Sequence, residues 1–226
     1  MPNLTFSTLT SVTYTSSGYW DVPPGVRSII AYGCGGGQGG RGGDTVGQTA
    51  SSGGRGAGIY TTVNPITVIG GERLTIAIGG GTAGGTKSTS PSMPGAGGNS
   101  YIQRSGTALV TFTGASTVTN ASGTNAASDN LHASPGATGS SGLSGAQATG
   151  GGASIGNGGD GGDGGSQSTN PVTGITIDLA ASAGGAGGYG AGGGGGGNSH
   201  TGTTTYAANG GNGGNGFIKI FYTTAG

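Results

Sequence analysis

The sequence predicts an all-β, sandwich-like fold in which short antiparallel strands frame a bundle of polyglycine-II helices, with almost no α-helix. Glycine supplies 61 of the 226 residues, far above the roughly 7 % of ordinary proteins. The later glycine blocks repeat as Gly-Gly-Xaa, as in "GNGGDGGDGG" at 156–165. The apolar runs are short, several of them alternate, and no run has the spacing of an amphipathic helix.

The apolar runs mark the predicted strands. They lie at 26–34, 59–63, 65–69, 73–78, 108–113, 174–179 and 216–222. Leu74, Ile76 and Ile78 share one face of their strand, because side chains alternate with a period of two. Gly70-Gly71, between two runs, predicts a hairpin turn. The residues expected in the apolar core are Trp20, Ile30, Ile76 and Ile218.

The glycine blocks predict extended helices that pack side by side. A period of three fits the polyproline-II geometry, which has three residues per turn and a rise of about 3.1 Å. Such a helix has no internal hydrogen bonds, so its N–H and C=O groups must pair with neighbouring helices. In Gly-Gly-Xaa two sides are bare and can pack, while the third carries Xaa outward. We expect Gly161 and Gly187 inside this glycine core.

Two other kinds of chain share part of this pattern. Collagen also has a period of three, but it is rich in proline and uninterrupted, whereas this chain has 8 prolines and broken blocks. Flexible Gly/Ser linkers have no period. The regular blocks therefore favour packed helices, with disorder of these blocks as the alternative.

Composition and charge argue against several classes of partner. The chain has 7 Lys and Arg and 7 Asp and Glu, so its formal net charge is zero. Nucleic-acid binding needs a basic patch, as does attraction to an anionic membrane surface, so we expect neither partner. We also expect no membrane insertion and no signal peptide, since neither apolar pattern is present. The single cysteine, Cys34, allows no intrachain disulfide.

The composition changes along the chain, although its length fits a single domain. Residues 1–113 are rich in predicted strands, and 114–149 form a Ser/Thr/Asn-rich insertion. Residues 150–226 hold the predicted polyglycine-II core and a closing strand. We therefore expect one glycine-rich domain over 1–226 with a strand-rich half and a glycine-rich half.

The stretch "SSGYWDVPPGVRSIIAYGCGGGQGGRGG" at 16–43 resembles the opening of the glycine-rich domains of bacteriophage tail-fibre and adhesin proteins. That opening has an aromatic residue, Val-Pro-x-Gly-Val, an apolar strand and a glycine block. The matching residues are Trp20, Val22, Pro23, Pro24, Gly25, Val26, Ile29, Ile30 and Tyr32.

Two later stretches extend the resemblance over most of the chain. Residues 54–85 resemble the second stage of the family, with a Gly-containing turn ahead of Glu72 and a Leu-x-Ile-x-Ile strand. Residues 210–222 resemble its closing glycine block and strand, while 114–149 depart from the pattern. The resemblance implies a virion surface protein whose strands frame a polyglycine-II core and whose exposed loops suit a receptor.

No motif makes an enzyme the favoured interpretation. Gly152-Ala153-Ser154-Ile155-Gly156, followed by Asp178 and His200, has the chain order of an α/β-hydrolase triad. That motif needs a helix after the serine, and a glycine block follows here. The Gly-x-Gly-x-x-Gly matches also open no helix. We expect no catalytic residue and no cofactor.

Metal binding is also not expected. Asp160 and Asp163 would project from the same side of an extended helix, but calcium wants six to eight oxygen ligands. These two carboxylates are interpreted instead as a solvated edge that opposes association. His132 and His200 lack the partner spacing of a zinc site.

The polar loops predict a non-catalytic binding site. Loops at 120–135, 166–173 and 198–209 are uncharged or nearly so and rich in Ser, Thr and Asn. Tyrosine offers a stiff contact that stacks on sugars or packs on protein. The candidate binding residues are Tyr189, His200, Tyr206, His132 and Asn130. A purely structural role for Tyr189 and Tyr206, covering the flank of the bundle, is an equal alternative.

The expected function is that of a phage virion protein, a tail fibre or a receptor-binding adhesin, located on the virion surface. The expected partners are a fibre shaft or capsid and a host receptor, either carbohydrate or an outer-membrane protein. A capsid decoration or head-fibre protein is the alternative, and an ice-binding polyglycine-II protein is a remote one. Because a glycine core buries little apolar area, we also expect a homo-oligomer, most simply a trimer.

Overall fold

The computed structural model of the protein describes residues 7–45, 54, 56–62, 64–115, 126–132, 166–169, 176–179, 181, 185–190, 196, 198–201 and 204–225. These residues form strands and extended segments, and they include no α-helix. The all-β prediction is therefore confirmed. The strands are β1 (Ser7–Tyr14), β2 (Gly18–Asp21), β3 (Ser28–Cys34), β4 (Gly58–Thr62), β5 (Ile66–Thr67), β6 (Arg73–Ala77), β7 (Ser100–Arg104), β8 (Thr107–Phe112), β9 (Ala126–His132), β10 (Ser166–Thr169), β11 (Thr176–Leu179), β12 (Asn198–Thr201), β13 (Thr204–Ala207) and β14 (Phe217–Ala225).

The strands form two larger sheets and two small hairpin sheets. The six-stranded sheet has the order β1-β14-β3-β4-β9, with β5 also paired to β3. The four-stranded sheet has the order β2-β6-β7-β8. The pairs β10–β11 and β12–β13 stand as two-stranded sheets. All of these pairings are antiparallel.

The two larger sheets enclose one apolar core, as in a β-sandwich. Ile29 and Ala31 of β3 and Ile218 and Ile220 of β14 meet side chains of the four-stranded sheet there. The buried contributions of that second sheet are Trp20, Leu74, Ile76, Ile102, Val110 and Phe112. Trp20, Ile76 and Ile218 thus lie in the core.

Ile30 departs from the core prediction. It is 42 % exposed, whereas its neighbours Ile29 and Ala31 are buried. Successive side chains of a strand point to opposite faces, so two adjacent isoleucines cannot both reach the same core. Ile30 therefore lies on the outer face of the six-stranded sheet.

The Val-Pro-Pro-Gly-Val stretch forms a tight turn between the sheets. The Val26 N–H donates to the Pro23 carbonyl at 3.2 Å, and Gly25 has φ of +85°. Proline at the second position and a positive φ at the third are the features of a type II turn. The turn brings Val22 and Val26, each 1 % exposed, into the core.

Gly70-Gly71 forms a turn, as predicted, but the strands on either side do not form a hairpin. Gly71 has φ of +86°, and the Glu72 N–H donates to the Ile69 carbonyl at 3.0 Å. β5 pairs with β3 in one sheet, whereas β6 pairs with β2 and β7 in the other. The hairpin prediction was wrong because this turn carries the chain from one sheet to the other.

Three glycine-containing segments lie side by side next to the sandwich: a first segment (35–43), a second (79–88) and a third (208–216). We call them together the glycine array. Every third residue of one segment donates its N–H to the next segment. The N–H groups of Gly37, Gly40 and Gly43 donate to the carbonyls of Gly214, Gly211 and Ala208, at 2.7–2.9 Å. This three-residue period is that of packed polyglycine-II helices.

The remaining two sides of the array follow the same period. The N–H groups of Thr82, Gly85 and Ser88 in the second segment donate to the carbonyls of Gly37, Gly40 and Gly43 in the first. The N–H groups of Gly210, Gly213 and Gly216 in the third segment donate to the carbonyls of Gly85, Thr82 and Gly79 in the second. All of these distances are 2.8–3.2 Å. Each segment thus donates to one neighbour and accepts from the other in a closed cycle. The first two segments run parallel and the third runs antiparallel to them.

Where two segments of the array approach most closely, the residues must lack a side chain. A Cβ on Gly39 would overlap the Ala83 carbonyl oxygen, and a Cβ on Gly81 would overlap that of Gly213. A Cβ on Gly213 would in turn overlap the Gly37 carbonyl oxygen. The contacts are between backbones, so no flexible side chain can move aside.

The sequence predicts that the Xaa residues of the array point outward to solvent. In the structure, several of them also form hydrogen bonds with the backbone. The Oδ1 atoms of Asn209, Asn212 and Asn215 accept hydrogen bonds from the N–H groups of Lys87, Gly84 and Gly81 at 2.9–3.1 Å. Gln38 is 1 % exposed, and its Nε2 donates to the Pro94 carbonyl at 2.6 Å. These side chains supply hydrogen-bond partners for backbone groups in addition to the pairing between segments.

The array draws on both halves of the chain. Two of its segments precede residue 113, although the sequence analysis assigned the polyglycine core to 150–226. Gly187 lies in a further segment (185–190), where its N–H donates to the Asn212 carbonyl at 2.9 Å. Gly161, Asp160 and Asp163 lie outside the described residues, as does most of the 114–149 insertion.

Candidate interaction surface

The six-stranded sheet has one face on the core and another directed away from it. Phe221 of β14 pairs with Ile30 of β3, and both side chains point away from the core, because Ile220 and Ala31 point into it. Leu9 of β1 lies on the same side, next to Thr223. We call this side, with Leu9, Ile30, Tyr32, Phe217, Lys219 and Phe221, the outer face.

The outer face is unusually apolar for a sheet face that carries exposed side chains. Leu9 is 69 % exposed and Ile30 is 42 % exposed. Single exposed apolar side chains are ordinary, but neighbouring ones that form a patch mark interaction sites. Ile30 and Phe221 are cross-strand partners, so this face offers such a patch.

Three aromatic rings form one end of the outer face. The Tyr32 and Phe217 rings lie 5.7 Å apart edge to face, and the Tyr189 ring lies 6.2 Å from that of Phe217. Phe217 is buried, whereas Tyr189 is 46 % exposed. Tyr189 therefore covers Phe217 with part of its ring and presents the rest to solvent.

Lys219 is the charged residue of the outer face within β1, β3 and β14. The Lys219 Nζ lies 5.0 Å from the centroid of the Phe221 ring, a cation–π distance. Its neighbours across the sheet, Tyr32 and Thr13, are uncharged. A ligand placed over β1, β3 and β14 would meet apolar and aromatic surface with a single positive charge.

Cys34 lies beneath the aromatic end and offers no reactive group. It is fully buried beside Phe217, Ala57 and Ala115. Burial raises the pKa of its thiol to about 12, so the thiol stays protonated at neutral pH. The thiolate is the nucleophilic form, and Cys34 is therefore part of the packing.

The predicted binding residues lie in separate elements. Asn130 and His132 belong to β9, His200 to β12 and Tyr206 to β13. In the β12–β13 hairpin, His200 is paired with Thr205 and Tyr206 with Ser199. The structure describes the backbone of these four residues, and of the predicted site it describes a side chain for Tyr189 alone.

The polar stretches interpreted as loops contain strands. β9 lies within 120–135, β10 within 166–173, and β12 and β13 within 198–209. Threonine favours strands, and a search for apolar runs overlooks strands built from Ser, Thr and Asn.

Metal centres and membrane-spanning helices are two other features that a chain can carry. Among the described residues, no group of three or more His, Cys, Asp or Glu lies together in a way that could hold a metal ion. Within the same residues, no helix is long and apolar enough to cross a membrane.

The glycine array and all of the strands except the first three residues of β1 lie within a region that matches a known family. A family model described as a glycine-rich domain matches residues 10–226. The chain belongs to this glycine-rich domain family. The match begins within β1 and includes β14, so the glycine-rich domain comprises both larger sheets and the whole array. No curated protein matches the chain in sequence.

Sequence reasoning missed most of the outer face of this glycine-rich domain, although a signal was present. "SIIAY" in β3 and "IKIFY" in β14 carry apolar residues at consecutive positions. A strand with one solvated face alternates apolar and polar residues, whereas apolar residues at both parities indicate two covered faces. Ile30 and Phe221 could have been assigned to a second contact surface on this ground.

Proposed function

We propose that this glycine-rich domain is a non-catalytic binding module on a bacteriophage virion, a tail-fibre adhesin that contacts a receptor on the host surface. The observation that carries the proposal is the outer face, where the exposed side chains of Leu9 and Ile30 lie on the sheet and the half-exposed ring of Tyr189 packs on Phe217. The resemblance of residues 16–43 to phage tail-fibre and adhesin domains supplies the virion context.

The array and the sandwich suit display outside a cell. In each segment of the array every third N–H is paired with a neighbouring segment, so the segments are held together by backbone hydrogen bonds and not by apolar side chains. The chain also has 7 Lys and Arg in 226 residues, which leaves few sites for trypsin-like proteases. One end would attach to a fibre shaft or capsid and the other would present the binding surface.

The aromatic end suits a carbohydrate receptor. Aromatic rings stack on the apolar faces of sugars, and tyrosine adds a hydroxyl for hydrogen bonding. Tyr189 has half of its surface free for this contact. The stretches that contain β9, β12 and β13 would add polar contacts.

The first test is the position of the protein on virions. A gold-labelled antibody against the recombinant chain is imaged on phage particles from the sample that contains this sequence. We expect label at fibre tips. Label spread over the head would support the alternative of a capsid decoration protein, and particles without label would contradict a virion protein.

The second test addresses the binding surface. Recombinant protein with Tyr189→Ala is compared with the wild type for binding to host cells and to an array of bacterial surface glycans. We expect at least about a fivefold loss of affinity, since stacking contacts are worth about 1–3 kcal/mol. Tyr19→Ala is the matched control, because Tyr19 is 65 % exposed on the other sheet. Equal binding by both variants would exclude Tyr189 from the site.

A further inference from the structure

β1 is a long edge strand with one paired side. It lies at the end of the six-stranded sheet, and its eight residues, from Ser7 to Tyr14, pair with β14. The register runs without a shift from Ser7 opposite Ala225 to Tyr14 opposite Ile218. Among the described residues, no strand pairs with the other side of β1. That side is a row of backbone donors and acceptors available to a further strand.

β1 lacks the features by which proteins protect such edges. Natural edge strands are short, charged, bulged or interrupted by proline. β1 has no charged residue, no proline and no bulge. It is also long for an edge strand, since strands average about 5–6 residues.

The other edges of the larger sheets among the described strands carry at least one of these features, and β5 has only two residues. β2 has four residues and ends at Asp21, which is ion-paired with Arg73 at 2.7 Å. β8 and β9 each pair across a register shift that marks a bulge or irregularity. Because the other edge strands of the same molecule are protected, the lack of protection is specific to β1.

A second copy of the chain is the occupant that fits this edge. The first twenty residues contain no charged side chain, so two β1 strands can approach without repulsion. Two identical antiparallel edges form a twofold contact in which each strand offers the same surface to the other. Such a contact joins core-facing side to core-facing side and outer face to outer face, because paired residues point the same way.

We infer that β1 is the pairing edge of a homodimer, in which β1 of one copy adds antiparallel to β1 of a second copy and continues the six-stranded sheet across both. Leu9, the third residue of β1 and 69 % exposed, then gains neighbours on the partner strand. The contact also joins the two outer faces into one larger surface. A strand that pairs with itself gives twofold symmetry, so this inference replaces the trimer that the sequence analysis expected with a dimer.

The test is the mass of the purified full-length chain in solution, by light scattering or sedimentation from low micromolar to near-millimolar concentration. We expect a dimer for the wild type. Leu9→Lys places two lysines in the same contact and should weaken dimerisation roughly tenfold or more. Ile69→Lys is the matched control, because Ile69 is 66 % exposed outside the larger sheets' strands, and it should remain a dimer.

Ser11→Lys serves as a second variant in case Leu9→Lys does not fold, which circular dichroism would show. Ser11 is exposed on the same side of β1, and it should give the same loss of dimer. Three outcomes would overturn the inference: a wild type that is monomeric at every concentration, a trimer, or a dimer that neither lysine variant weakens. None of these readouts depends on the virion assignment, so this inference and the proposed function can fail separately.

Discussion

The sandwich and the glycine array exclude water in opposite ways. In the sandwich, large side chains such as Phe112 and Leu74 fill the space between two sheets and are fully buried. In the array, backbones approach so closely that not even a Cβ fits, and the contacts are hydrogen bonds between N–H and carbonyl groups. Deleting atoms damages the first region, and adding atoms damages the second. The predictions below use this difference, from the largest effect to the smallest.

Gly39→Val is expected to prevent folding. The added Cβ would overlap the Ala83 carbonyl oxygen, and Gly39 is buried in the middle of the first segment. The backbone around Ala83 cannot move aside without breaking several hydrogen bonds between the segments. Gly95→Val is the control, because a Cβ there has nothing within 4 Å. Thermal unfolding followed by circular dichroism measures both, and equal melting temperatures would refute the account of the array.

Phe112→Ala should destabilise the sandwich by about 3–5 kcal/mol, the usual cost of removing a buried phenylalanine. Its side chain is fully buried in the core. Chemical denaturation gives the change in the free energy of unfolding. Tyr19→Ala, at a 65 % exposed position, should change this free energy by less than about 0.5 kcal/mol. A loss below about 1 kcal/mol in Phe112→Ala would mean that the array, and not this core, determines stability.

Asn212→Ala should cost about 1 kcal/mol, because it leaves the Gly84 N–H without the Asn212 Oδ1 acceptor at 2.9 Å. Asn212→Asp keeps an acceptor oxygen at the same place and should be less destabilising. Chemical denaturation of the two variants separates the role of the acceptor from that of the amide group. If alanine is tolerated as well as aspartate, the asparagine ladder contributes no stability.

The smallest expected effect is that of acid pH on stability through Glu72, which follows the Gly70-Gly71 turn. The Arg104 guanidinium donates to the Glu72 carboxylate at 2.7 and 2.8 Å, and this bond is the main cause that lowers the pKa of Glu72 below its ordinary value of 4.5. A lowered folded pKa stabilises the fold above the ordinary value, and this stabilisation is lost as the pH falls through the folded pKa.

The melting temperature should therefore fall on acidification below about pH 4.5. In Glu72→Gln the fall should be shallower, although it should not vanish, because Arg73 also lowers the pKa of Asp21. Melting curves of both proteins between pH 7 and pH 2.5 (roughly the range over which carboxylates titrate) measure the difference. Parallel curves would show that Glu72 does not couple the turn to stability.

The sequence allowed several strands of the core to be predicted, since each of the seven apolar runs overlaps a strand. The core strands β2 and β7, which carry Trp20 and Ile102, lie outside those runs. The sequence did not allow β1, β10 or β12 to be found, because strands of Ser, Thr and Asn are specified by their partners and not by hydrophobicity. The glycine period predicted lateral packing. The partner of each segment could not be predicted, because every block offers the same bare surface.

Less of the candidate site than of the fold could be predicted from the sequence. Tyr189 was singled out because it interrupts a glycine block, and its half-exposed ring lies on Phe217. The role of Ile30 was misassigned because two adjacent isoleucines were treated as one core run. Distinguishing a core face from an outer face requires knowing which sheet lies opposite, and that is a property of the tertiary fold.

The closed cycle of the array has a consequence for how related chains can differ in length. The first two segments run parallel and the third antiparallel, yet all three pair at every third residue. Inserting three residues into a segment adds one full turn and keeps every later donor aimed at the same neighbour, whereas inserting one or two turns the donors away. Homologues of this domain should therefore gain and lose glycine-segment residues in triplets, with other length changes confined to the connecting loops.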